Sequence, residues 1–233
     1  METIEVMQDF PWIDVVAVLW FIALWVGYTL FAKRKARTVS CLSFELRRKR
    51  TDWMRQMLTR DNKMADVALI STLERNVSFF ASSSMLILAG LLTAIASSDK
   101  IAQVLMQVMP WQDHVDGLMQ FKLLFLGLIY VFTFFQFTWS LRQYGFGGVL
   151  IGAAPEGRNL PEEELQLYAN RAAKVIDQAA HSFNYGLRAI YFSLAALAWF
   201  INVWLFMLST IIVLLVMKHR EFHSKALKAL QEV

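Results

Sequence analysis

The sequence predicts an all-α fold: a polytopic membrane protein with four transmembrane helices and cytoplasmic amphipathic helical extensions. Three observations carry this. Of the 233 residues, 57% are hydrophobic, against about 45–50% in an ordinary soluble domain. The excess is gathered into four runs, Trp12–Ala32, Val77–Ala96, Leu123–Trp139 and Ala189–Met217, each at or near the roughly 20 apolar residues that cross a hydrocarbon core. Lys and Arg instead concentrate in two of the polar segments between the runs, the asymmetry that orients membrane proteins. The chain then reads as a single integral membrane domain, spanning the bilayer at about residues 11–32, 77–97, 122–140 and 188–217, with segments 33–76 and 141–187 in the cytoplasm.

The first helix opens at Pro11, suited to a first turn, and ends at Lys33-Arg34-Lys35. Its amino-terminal flank is acidic (Glu2, Glu5, Asp9, Asp14) and its basic cluster follows the apolar run, which predicts a retained span and not a cleaved signal peptide. After Arg47-Arg48-Lys49-Arg50 and a capping Thr51-Asp52, the residues Trp53, Met54, Met57 and Leu58 recur at helical spacing. They predict a short amphipathic helix lying on the inner leaflet, where each basic residue near anionic lipid contributes about 1 kcal/mol. A second amphipathic stretch from Asp61 runs into the second span, with no Pro or Gly between Met64 and Ala89. Ile101–Met109 reads as a weakly amphipathic piece stopped by Pro110.

The third span is followed by 145-GFGGVLIGAAPEG-157, with five glycines. It lacks the Gly-Lys-Ser/Thr ending and the spacing of a phosphate-cradling loop, so a flexible or re-entrant connection is expected. Asn159-Leu160-Pro161 before three glutamates marks a helix start. Leu165, Ala169, Ala172, Ile176, Ala179 and Phe183 form one face of that helix, which feeds into the fourth span near Gly186, where the glycine allows a bend. Lys218–Leu230 is a basic amphipathic tail.

Counted by segment, Lys and Arg number twelve in Lys33–Arg75, five in Leu141–Arg188, four in the tail, two in Ser97–Lys122 and none before the first span. With four spans, alternate segments share a side, which predicts both termini outside and the two long loops in the cytoplasm.

Three stretches, 13-IDVVAVLWFIALWVGYTLFA-32, 73-LERNVSFFASSSMLILAGLL-92 and 183-FNYGLRAIYFSLAALAWF-200, together with GGVLIGAAP, resemble the bacterial and plant membrane proteins grouped as domain of unknown function 599. The resemblance runs from Ile13 to about Trp204. It is most specific in the Arg-Asn-x-x-Phe-Phe-Ala-Ser and Gly-Leu-Arg-Ala-x-Tyr-Phe stretches. It implies a four-helix protein, here of a bacterial inner membrane, and supplies no chemistry. Tyr185 stands where the family carries a basic residue, and no role passes to it.

At about 100° per residue, Arg75, Ser78 and Ser82 share one face of the second span, with Glu74 to one side. Gln136 and Ser140 belong to the third span, and Asn184, Arg188 and Asn202 share a face of the fourth, with His181 close by. Polar groups in hydrocarbon must find a partner or water, so these ten residues are expected to form a polar interior, with Glu74 meeting Arg188. They are either hydrogen-bonding glue between helices or the lining of a hydrated path, for an anion in view of the two arginines.

No residue is assigned to catalysis, a cofactor or a metal. His219 and His223 are four apart but lack a third ligand, as does His114 beside Asp113 and Asp116. No histidine lies within a span, which argues against a bis-histidine haem. Neither G-x-S-x-G nor H-E-x-x-H occurs, and Cys41 is the single cysteine. The expected function is an oligomeric, non-enzymatic path for a small solute or anion. The alternatives are a non-catalytic scaffold or accessory subunit, and a lipid-modifying enzyme using Glu74 and His181. Expected partners are the bilayer, further copies of the chain through the aromatic faces bearing Trp12, Trp20, Trp199 and Trp204, and a membrane or cytoplasmic protein. No nucleic acid and no cofactor are expected.

Overall fold

A computed structural model describes residues 12–36, 39–98, 100–101, 116–155 and 161–231. The expectations for the piece Ile101–Met109 beyond Ile101, for His114 and for the Asn159 cap lie outside the described residues. The main elements are α1 (Trp12–Lys35), α2 (Leu42–Thr59), α3 (Met64–Ala96), α4 (Asp116–Gly152), α5 (Glu162–Leu197), a 3-10 turn (Ala198–Phe200), α6 (Val203–Phe222) and α7 (Lys225–Gln231). The fold is all-α. Four helical segments are long and apolar enough to cross a membrane: Trp12–Lys35, Met64–Ala96, Leu118–Gly152 and Val203–Gln231.

The fourth differs from the expected span at 188–217. That apolar run is divided: α5 ends at Leu197, and after the 3-10 turn Asn202 accepts the Trp204 N–H on its Oδ1 at 2.7 Å, starting a new helix. The two helices fold back on each other. Ser209 donates to the Ala195 carbonyl at 3.2 Å, and Trp199 stacks on Phe206 at 5.1 Å. A 29-residue helix would be about 43 Å long, more than one ~30 Å crossing needs. The polar Asn202 is where the chain turns.

By contacts the chain forms two units. Unit 1 comprises Met1–Ala32, Ser84–Phe132 and Arg188–Met217. Its core is aromatic. Phe21, fully buried, meets Trp25, Phe125, Phe192 and Phe206 with ring centroids 5.2–5.7 Å apart. At one end of the unit Trp199 donates from Nε1 to the buried Asp14 at 2.5 Å, and Lys122 donates to the Trp199 carbonyl at 3.0 Å while lying over its ring. Gln120 donates to Ser98 at this end too. The starts of α1 and α4, the end of α3 and the α5–α6 turn therefore lie together.

Unit 2 comprises Lys33–Ser83, Thr133–Leu187 and Lys218–Val233. Small residues on α5 (Ala169, Ala172, Ala173, Ala179) are buried and let neighbouring helices approach. The segment expected to be a flexible or re-entrant connection is helical through Gly152. Its glycines serve proximity: a Cβ at Gly147 would lie 3.0 Å from Ile176, and one at Gly148 3.7 Å from Ile70. The expected leaflet helix, α2, buries Met54, Met57 and Leu58 inside unit 2, so that apolar face is covered by protein and not by lipid. The tail, expected on the far side from residues 33–76, packs on α2. The Ser43 N–H donates to Glu221, Gln231 donates to Ser40, and Leu227 is buried between them in sequence. The α5–α6 reversal is the physical reason, since it adds a change of direction that an unbroken fourth helix lacks.

Candidate functional site

The interior polar side chains of unit 2 join α4 to α5. Ser140 donates to the Ala179 carbonyl at 2.7 Å, and Ser182 donates to Gln143 Oε1 at 3.0 Å, with all three side chains buried. In unit 1 Ser193 donates to the Tyr130 hydroxyl at 3.1 Å. These groups satisfy one another, the behaviour of polar glue between helices.

A charged cluster fixes α2 to α5. Asp177 accepts from Arg47 Nε at 2.9 Å and from Arg50 Nη1 at 2.8 Å, one guanidinium on each carboxylate oxygen. His181, one turn further along α5, places Nε2 at 3.3 Å from Asp177 Oδ2 and 3.1 Å from Arg47 Nη2. A neutral Nε2 accepts from the arginine, and a protonated one donates to the carboxylate, so one nitrogen serves either partner. Burial raises the Asp177 pKa, but the hydrogen bond and charge of His181 and the charges of Arg47 and Arg50 outweigh it and hold the carboxyl below its ordinary value. A second buried carboxylate, Asp66, accepts from Trp53 and Arg60 on Oδ1, while its Oδ2 has no hydrogen-bond partner among the described residues. It ties the start of α3 to α2.

The polar face of α3 does not point inward. Ile70, Val77, Ala81 and Ser84 form the buried side of the helix, whereas Arg75, Ser78 and Ser82 are exposed. They line a groove of about 590 Å³ with Ser71 and Glu74, walled by Phe79 and by Leu141 of α4. Val77 and Ala81 present a smooth, small surface that packs well, and the helix turns its hydroxyls away from it. Glu74 and Arg188, expected to pair, fall in different units. Glu74 lies over Gly145, where a Cβ would stand 3.5 Å from its Oε1. Arg188, half-buried, places its guanidinium 5.4 Å above the Tyr28 ring. Of the remaining predicted residues, Gln136 and Asn184 are half-buried and Asn202 caps α6. Of the ten residues expected to form one polar interior, Arg188 and Asn202 fall in unit 1 and eight in unit 2, where Glu74, Arg75, Ser78 and Ser82 line the groove on α3, Ser140 joins α4 to α5 and His181 belongs to the Asp177 cluster.

The family described as "Protein of unknown function, DUF599" matches residues 16–226. The chain belongs to this family. No curated protein and no solved structure shows a significant match. In this member of the family, the residues missed from sequence are Asp177, Arg47 and Arg50, and the signal for them is weak. An acid followed four residues later by His181 on an otherwise alanine-rich face suggests a buried ionic group, but nothing in the spacing names arginines 127–130 positions away as its partners. His219 and His223 stack at 5.9 Å on an exposed helix face. Chemically, the Asp177 cluster is a saturated ion network. The α3 groove holds an acid, a base and three hydroxyls with space in front of them.

Proposed function

We propose that this protein is a non-catalytic scaffold or accessory subunit that assembles with further copies of itself in the membrane. One observation carries the reading: Ser140, Gln143 and Ser182, buried between α4 and α5, are held by hydrogen bonds that join the two helices, Ser140 to the Ala179 carbonyl and Ser182 to Gln143. A path through the helices would need those groups to face water. The helices also outlast the bilayer. α3 has 33 residues and α4 has 37, about 50 and 55 Å at 1.5 Å per residue, against a hydrocarbon core of about 30 Å. At the end of unit 2 where Lys63 donates to the Ala154 carbonyl and Tyr168 to the Leu150 carbonyl, Met64, Val67, Val149 and Leu167 are exposed. Large apolar residues outside hydrocarbon are the material of protein contacts.

The basic residues support a cytoplasmic setting for that end. With α7 packed on α2, the tail's four basic residues join the twelve of Lys33–Arg75, and only Lys100 and Lys122 belong to the opposite connection. The amino terminus is then outside and the carboxyl tail inside. In a Cys41→Ala background, a cysteine at Thr3 is expected to react with an impermeant thiol reagent in intact cells, and cysteines at Glu162 and Ala229 are expected to be protected. Labelling of Ala229 alongside Thr3 would overturn this sidedness.

Native mass spectrometry in mild detergent is expected to give an oligomer that Val149→Glu and Leu167→Glu dissociate without loss of helix content. Proteoliposomes are expected to pass small anions no faster than empty vesicles. A monomer sinks the reading. An anion flux that Arg75→Ala abolishes replaces it with a path between copies along the α3 groove.

A further inference from the structure

Glu74 and Arg75 are adjacent in sequence and opposite in charge, and both line the α3 groove. Neither has an ion pair or hydrogen bond among the described residues. Neighbours on a helix diverge by about 100°, so they flank a space and do not close on each other. The hydroxyls repeat the pattern. Thr72, Ser83 and Thr93 each turn back to the carbonyl four residues earlier, at 2.8–3.1 Å. Ser71, Ser78 and Ser82, which line the groove, make no such bond. A hydroxyl left unsatisfied where water is scarce is costly. Ser78 and Ser82, inside the apolar run and on one face with Ser71 beside an open acid and an open base, point to something that occupies the groove.

The depth says what. The apolar run begins at Val77, two residues after Arg75, so Arg75 stands at headgroup level, with Ser78 and Ser82 one and two turns into the bilayer and Ser71 one turn out. A ligand carrying only negative charge would meet Glu74, and one carrying only positive charge would meet Arg75. We propose that the groove binds the headgroup of a zwitterionic phospholipid bearing a primary ammonium. Arg75 takes the phosphate through paired N–H donors, the geometry in which guanidinium exceeds ammonium. The Ser71 and Ser78 hydroxyls donate to its remaining oxygens. Glu74, given room by Gly145, accepts from the ammonium. Ser82 lies at the depth of the ester groups, and Phe79 and Leu141 border the acyl chains. A second copy of the chain also carries both charges. It is disfavoured because a symmetric contact meets the same surface on both sides, and two concave grooves leave each other unfilled.

The test is lipid retention by the full-length protein in native mass spectrometry, after exchange into vesicles of phosphatidylethanolamine, phosphatidylglycerol or an equal mixture. The wild type is expected to keep the ethanolamine lipid over the glycerol lipid by about tenfold, the scale of one charge-assisted hydrogen bond. Arg75→Ala should lose retention of both lipids by about tenfold, and Arg75→Lys by less. Glu74→Gln should still retain lipid but without preference. Both side chains are unpaired among the described residues, so these variants should keep the wild-type thermal midpoint in lipid-free detergent. A third arm offers O-phosphoethanolamine alone. Binding as tight as that of the lipid would make the groove a site for a water-borne ligand and overturn the lipid assignment. Equal retention of the two lipids by the wild type also overturns it, as does efficient disulfide cross-linking between copies through Ser78→Cys in native membranes.

Discussion

Gly186→Val is expected to lower the thermal midpoint of the detergent-solubilised protein by roughly 6–12 °C. A Cβ at Gly186 would stand 2.5 Å from the Phe137 ring, closer than any tolerated carbon contact. The ring has nowhere to go. Phe137 is fully buried, with Phe80 and Phe183 each 5.6 Å away between centroids. Overpacking a filled core costs about 1–3 kcal/mol and sometimes more. Alanine would recover up to ~1 kcal/mol of helix propensity and so lose about 1–2 kcal/mol net. Valine adds two methyl groups to the clash and, being β-branched, recovers less, for a loss of about 3 kcal/mol, at 2–4 °C per kcal/mol for a chain of roughly this size. Phe137→Leu should partly rescue either variant, because the two side chains then share one space. Strictly additive losses, or a Gly186→Val protein as stable as the wild type, would show that the notch is not filled as described.

Gly186 also shows where sequence reading stops. Its place on α5 was visible, and the sequence suggested a bend there. The helix instead runs unbroken through it, because the missing side chain is used for close approach and not for flexibility. The same error applies to Gly145, Gly147 and Gly148, read as a connection and found inside α4. Glycine marks either a turn or a contact, and only the neighbouring helix decides which. The apolar runs were legible because hydrocarbon imposes one requirement on every residue in it. The division of 188–217 was not, because α5 is lined largely by protein. A helix so placed can carry Asp177, His181, Ser182 and Ser193 without a lipid-facing apolar shell, and its polarity masks its continuity with the run that follows. Arg75, Ser78 and Ser82 line one groove on α3, on the side away from buried Val77 and Ala81. A helical wheel gives relative angles and not the direction of the core, and the rule that polar residues face inward weakens at the bilayer surface, where Arg75 reaches headgroups and water.

Asp177→Ala is expected to cost about 2 kcal/mol and to flatten the acid limb of the stability profile. Removing the carboxylate leaves Arg47 and Arg50 facing each other across an empty position beside His181. Loss of one partner of a fully buried ion pair costs about 3–5 kcal/mol. Here the Arg47 side chain is 43% exposed and that of Arg50 20%, so water screens part of the loss. The direction of the pH dependence follows from the depressed carboxyl. Burial works to raise it, and His181, Arg47 and Arg50 together lower it further than burial raises it. A folded-state value below the unfolded one gives stability that is complete above the ordinary aspartate pKa of about 3.9 and is lost as pH falls through the folded value. The Asp177 contribution should therefore decline as pH falls below about 4. Other carboxylates also titrate there, so the informative quantity is the difference between wild type and Asp177→Asn, which should shrink on acidification through that window. In a double-mutant cycle, Arg47→Ala combined with Asp177→Ala should lose less than the sum of the single losses. If Asp177→Asn follows the wild-type acid profile at a constant offset, or the cycle is additive, the cluster does not bind α2 to α5 as an ionised network, and the joint between those helices rests on the apolar contacts of Met54, Met57 and Leu58 in unit 2.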